Sequence, residues 1–204
     1  MKTSLGIERV VKTRADRSRS TSSGVDGGPK ADVLAAIAEA YVMFLSGIRW
    51  EHHLVVRGAR EGLNKFVSNA YLASFTGRRK HELTQLISVA AYDRLQAGNS
   101  KDLVFEHLVP KQRVFQEPCE RMARERKLTE EYVLGLLRRY WVAATVTGDE
   151  DKRLARRSMP QDWDRLDVMA RYSAAGVGLF LNPFAAPGVP VCPAAALAGL
   201  IADR

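Results

Sequence analysis

Cysteine and histidine are scarce in this chain of 204 residues, with two of the first and four of the second. Cys119 and Cys192 lie far apart in sequence and make no metal or redox spacing, which suits a reducing, cytoplasmic setting. Acidic residues are in deficit, 23 Asp and Glu against 31 Lys and Arg, for a net charge of +8. An anionic partner is therefore expected, nucleic acid ahead of an anionic membrane surface. No apolar core follows the basic N-terminus, so no signal peptide is expected. The one long uncharged stretch, Tyr172 to Ala202, is interrupted by Pro183, Pro187, Pro190 and Pro193, too often for a membrane helix. What is present is a 46% hydrophobic content, enough for one sizeable core.

The composition divides the chain. Residues 1–28 carry Lys2, Arg9, Lys12, Arg14, Arg17 and Arg19 with a Ser/Thr/Gly-rich run and little to bury, which reads as a disordered basic arm. A single globular domain is expected over 29–180, followed by a Pro/Ala-rich apolar tail over 181–204, a candidate self-association surface. Within the domain, 29–98 reads as helical. Pro29 opens a helix with Val33, Leu34, Ile37, Tyr41 and Leu45 at helical spacing, ended by Gly47. A second helix runs from near Trp50 toward Leu72, with Leu54, Val55, Leu63, Phe66 and Val67 apolar and Gly58 and Gly62 weakening it. A third is expected where Leu83, Leu86, Ile87, Ala90, Ala91 and Leu95 recur, ending at Gly98-Asn99.

Two features of this half carry charge. Glu51-His52-His53 lacks the second histidine four residues on that a zinc-binding helix needs, since Arg57 stands there. Arg78, Arg79 and Lys80 form a basic turn that offers either a grip on phosphate or a solvated helix start.

From Leu103 the pattern changes. Leu103 to Leu108 has strand composition, ends in the adjacent pair Glu106-His107 and is stopped by Pro110. Trp141 to Thr147 is a second β-branched and aromatic run, expected to pair antiparallel with the first. Gly148 then leads into a helix whose first turn holds Asp149, Glu150 and Asp151 and whose continuation holds Lys152, Arg153, Arg156 and Arg157. Between the strands, Pro118 starts one helix through Met122 to Arg126 and Thr129 caps another with Tyr132, Val133, Leu136 and Leu137 inward. Met159-Pro160 breaks the acidic-start helix, and Val168, Met169, Tyr172 and Val177 suggest one more short helix. Arg171 there is available to a phosphate or to an internal carboxylate.

Glu106-His107-Leu108-Val109-Pro110 resembles the first strand of the HNH endonucleases, the ββα-metal or His-Me finger superfamily, whose usual form is Asp-His-Ile-Val-Pro. Thr147 to Leu154 resembles that family's strand-to-helix step. The resemblance covers 103–160 and is to a divergent member, with a helical insertion and without the final histidine of the motif, since His107 is the last histidine of the chain. It implies a two-stranded ribbon and helix over 101–160, which with the helical half read from periodicity before it gives an α+β, mostly α-helical fold. It implies a metal-dependent endonuclease or nickase that hydrolyses phosphodiester bonds, DNA expected ahead of RNA. His107 would be the general base, and Glu106, Asp151 and Glu150 would hold a single Mg²⁺ or Mn²⁺, both oxygen-seeking ions. Lys111, Arg113, Lys152, Arg153, Arg156, Arg78 and Arg79 would then bind nucleic acid. The competing expectation is a non-catalytic basic helical module that binds nucleic acid or a protein, in which Glu106 and His107 are structural.

Overall fold

A computed structural model describes residues 32–197 and 200. The expected basic arm over 1–28 lies outside them. The fold is α+β and mostly helical.

Helix α1 (Val33–Ser46) begins where the Asp32 carboxylate accepts the Leu34 N–H at 3.0 Å; Pro29, expected to open it, lies outside the described residues. It ends, as expected, at Gly47. Helix α2 (His53–Ala73) buries Val56, Leu63, Val67 and Tyr71, while the apolar Leu54 and Val55 stay exposed on its first turn. Tyr41 of α1 packs against Phe115, ring centroids 4.8 Å apart, and Arg60 of α2 makes a forked pair with Glu120 of α4 (Glu117–Arg124), its Nε donating to Oε1 and Oε2 and its Nη2 to Oε2 at 2.7 Å. Helix α4 carries Pro118 in its first turn and stops at Arg124, short of the expected Arg126, whose φ of 56° lies in the left-handed region. Helix α5 (Glu130–Tyr140) is capped by Thr129 as expected and packs on α1.

The two strand-like runs pair as anticipated. β2 (Leu103–His107) and β3 (Ala143–Thr147) are antiparallel, in register from Leu103 opposite Thr147 to His107 opposite Ala143. They are half of a four-stranded sheet of order β2-β3-β1-β4, in which β1 is Leu86–Ser88 and β4 is Leu179–Leu181. The expected third helix is in fact two elements: a strand β1 (Leu86–Ser88) parallel to β3, then helix α3 (Val89–Gln96) capped by Ser88. Leu86 and Ile87 are fully buried on opposite faces of the sheet, a continuous apolar run that helical spacing mimics. Side chains hold β1 beside β3: the Gln85 side chain accepts the Ala143 N–H at 2.9 Å and donates to the Trp141 carbonyl, and the Thr84 and Thr145 hydroxyls are 2.8 Å apart.

The region after 170 completes the sheet. Helix α7 (Ala170–Ala174) leads to β4 (Leu179–Leu181), antiparallel to β1. Ala186, Cys192 and, in helix α8 (Ala194–Leu197), Ala196 are buried in the main core. Helix α6 (Gly148–Arg153) follows β3 directly and is shorter than its sequence suggested, ending well before Met159. Among the described residues no helix is long and apolar enough to cross a membrane.

Candidate functional site

Adjacent residues of a strand point to opposite faces. Glu106 and His107 therefore sit side by side in sequence and on opposite sides of the sheet. On the Glu106 face, Arg171 of α7 is 2% exposed and gives one Nη2 hydrogen to Glu106 Oε1 at 2.6 Å. The same guanidinium donates to the carbonyls of His107, of Leu108 (3.2 Å) and of Ala155 (3.0 Å). One buried arginine thus ties the end of β2 to the loop after α6, with its charge met by a carboxylate that keeps only 27% of its side-chain surface. Of the two roles the sequence allowed Arg171, the structure uses the internal one.

On the other face His107 stands against Trp141, ring centroids 4.4 Å apart, and edge-on to Phe105. Its Nε2 is 3.4 Å from the Ser68 hydroxyl of α2, and its buried Nδ1 has no partner. Lys111 reaches the same place, donating to Ser68 Oγ at 2.7 Å and to the Asn64 carbonyl at 3.0 Å. Loss of hydration, with the charges of Lys111 and Arg171 nearby, holds the imidazole well below its usual range, so it is neutral. Burial likewise lowers the Lys111 ammonium, with Glu106 acting in the opposite direction.

The acids of α6 divide in the same way. Glu150 is buried, and its Oε2 accepts from the Ser88 hydroxyl at 2.6 Å and from the Thr147 N–H and hydroxyl at 2.9 and 3.0 Å, the reciprocal cap of α6. Asp151 shares with Glu106 the neighbourhood of Tyr172: burial pushes that phenol up, and both carboxylates push it further. His107 thus lies behind the strand from Glu106, and Glu150 is engaged elsewhere. A divalent cation would meet Glu106 already on Arg171, and His107 already flanked by Lys111 and Arg171. Among the described residues no group of three His, Cys, Asp or Glu is placed to hold a metal ion. The residues as arranged do not fit the expected Mg²⁺ or Mn²⁺.

The basic residues expected at nucleic acid scatter. Lys111 points inward; Lys152 pairs with Asp149 at 2.9 Å; Arg153 reaches the Ala175 carbonyl; Arg78 and Arg79 are exposed beside the Lys80–Leu83 turn. Arg156 is exposed on the loop after α6. Arg113 lines a cleft, about 540 Å³ in volume, that gathers three segments, 110–121, 132–140 and 159–165. Arg113, Arg121 and Arg165 line it with the rings of Tyr132, Tyr140 and Trp163, and no carboxylate does. None of those three arginines forms an ion pair among the described residues. Arg121, Arg165 and Trp163 were not foreseen; only the excess of arginine hinted at them, because the segments that bring them together are distant in sequence.

Compared with family models, with curated proteins and with solved structures, the chain finds no match in any of the three.

Proposed function

We propose that this protein is a non-catalytic nucleic-acid-binding module that holds the phosphate backbone at the Arg113, Arg121 and Arg165 cleft. The observation that carries this reading is a concave site with three guanidinium groups, each without an internal counter-charge, in a chain of net charge +8. A guanidinium left unpaired at a cleft is suited to phosphate, which it meets in a planar, two-pronged fashion. The aromatic rings beside it offer surface to bases. Fluorescence anisotropy of labelled oligonucleotides against salt tests it. Three backbone contacts predict a log–log slope of roughly −2 for a single strand, and the double variant Arg113→Gln/Arg121→Gln should flatten it by roughly 1.4. Absence of binding, or binding indifferent to salt, would refute the reading.

The second reading is phosphodiester hydrolysis at an HNH-like centre. The antiparallel pair β2 and β3 leading directly into α6 favours it. It requires Glu106 to leave Arg171 and His107 to reach solvent. Nicking of supercoiled plasmid with Mg²⁺ or Mn²⁺, lost with EDTA and in His107→Ala, would establish it; the binding reading expects no cleavage.

A further inference from the structure

We infer that the cleft selects single-stranded nucleic acid, taking one unstacked base against Trp163, which Tyr140 buttresses edge-on, while its phosphates meet Arg113 and Arg121. This rests on the binding reading above and adds the form of the strand. The wall that carries the stacking rings is fixed in advance. Trp163 Nε1 donates to the Asp167 carbonyl at 2.6 Å and the Tyr140 hydroxyl to the Arg165 carbonyl at 3.2 Å, so each ring is held by its polar edge. The two rings stand edge to face, centroids 6.3 Å apart at 62°.

Arg165 itself has a φ of 67°, a left-handed backbone that a side-chain-bearing residue adopts at a cost. That conformation is secured at its carbonyl, which accepts both the Tyr140 hydroxyl and Arg139 Nη2 at 3.0 Å. The nearby Asp164 carboxylate is turned to the loop's own backbone, accepting the Leu166 and Asp167 N–H groups at 2.6 and 3.0 Å, and among the described residues it forms no ion pair with Arg113, Arg121 or Arg165. Pro110, Pro118 and Pro160 on the lining limit how far the rim can relax. A preformed cleft loses little freedom on binding.

The shape then decides between strands. In a duplex the bases are stacked and paired, and the phosphates lie on a convex surface; no single base can enter a cleft beside its own phosphate without being flipped out, which costs unstacking. A single strand presents base and phosphate together, and an aromatic platform accepts any base because each has a π-face.

The test uses the full chain with a labelled 12-nucleotide single strand, as DNA and as RNA, and the corresponding DNA duplex, following anisotropy and tryptophan quenching. The expected result is single strands bound at least tenfold more tightly than duplex, with quenching that disappears in Trp163→Phe while binding persists through the remaining ring. Trp163→Leu should weaken single strands about tenfold, the usual worth of one stacked base, and Arg113→Gln/Arg121→Gln should weaken them at least as much with unchanged thermal melting. Equal binding of duplex and single strand, or binding without loss in Trp163→Leu, overturns the single-strand inference and leaves the broader reading standing. No binding of any strand overturns both.

Discussion

At the end of β2 the strong charges are met inside the protein, whereas around the 540 Å³ cleft three arginines are met by none. The two regions share a chain excess of basic residues but use it in opposite ways. Arg171 is 2% exposed and tied to one carboxylate and three carbonyls, so its charge is a structural fastening. Arg113 and Arg121 are exposed on the lining of a concave surface and form no ion pair among the described residues. A charge spent on internal partners cannot also bind a ligand, and a charge left over at a cleft contributes little to stability.

This contrast can be broken, most severely, at Arg171. Arg171→Ala strands the half-buried Glu106 carboxylate and frees three carbonyls, and should cost about 3–5 kcal/mol in urea unfolding, the loss expected from breaking a buried pair; a cost under about 1 kcal/mol would contradict the fastening role. Glu120→Ala removes the forked partner of Arg60 and should cost about 1.5 kcal/mol, held to that level because Arg60 keeps much of its hydration.

A smaller effect is written in pH. The His107 imidazole has its folded-state pKa depressed below the unfolded value near 6.5, first by loss of hydration. The unfolded chain therefore takes up the proton first. Stability should be complete above about pH 6.5 and fall below it by up to about 1.4 kcal/mol per pH unit, until the folded form also protonates. Urea titrations from pH 7.5 to 5 should show the slope in the native chain and a flatter one in His107→Gln. Smallest of all, Arg113→Gln/Arg121→Gln should move stability by less than about 0.5 kcal/mol, as exposed substitutions away from packing do, while weakening oligonucleotide binding.

Much of the local structure was legible in the residues. The Thr129 cap of α5, the Gly47 end of α1 and the pairing of β2 with β3 follow from capping chemistry and strand composition. β1 was not legible because three residues are too few to show a period, and Leu86, Ile87, Ala90 and Ala91 fit a helix equally well. β4 was hidden in an apolar stretch whose prolines suggested a tail, although Leu179 and Phe180 are buried in the sheet. At the strand end the sequence showed Glu106 and His107 as neighbours but not that alternation sends them to opposite faces of a sheet covered on both sides. The cleft was least visible, since Arg113, Arg121, Tyr140 and Trp163 come from segments that only the packing of α4, α5 and the 159–165 loop brings together.

The most direct test of the contrast places His107→Ala and Arg113→Gln/Arg121→Gln beside the native chain in one experiment, measuring single-strand affinity and, in parallel, plasmid nicking with Mg²⁺. The account predicts near-native affinity for His107→Ala, at least a tenfold loss for the double arginine variant, and no nicking by any of the three. Metal-dependent nicking abolished by His107→Ala, with the arginine variant binding as the native chain does, would contradict it.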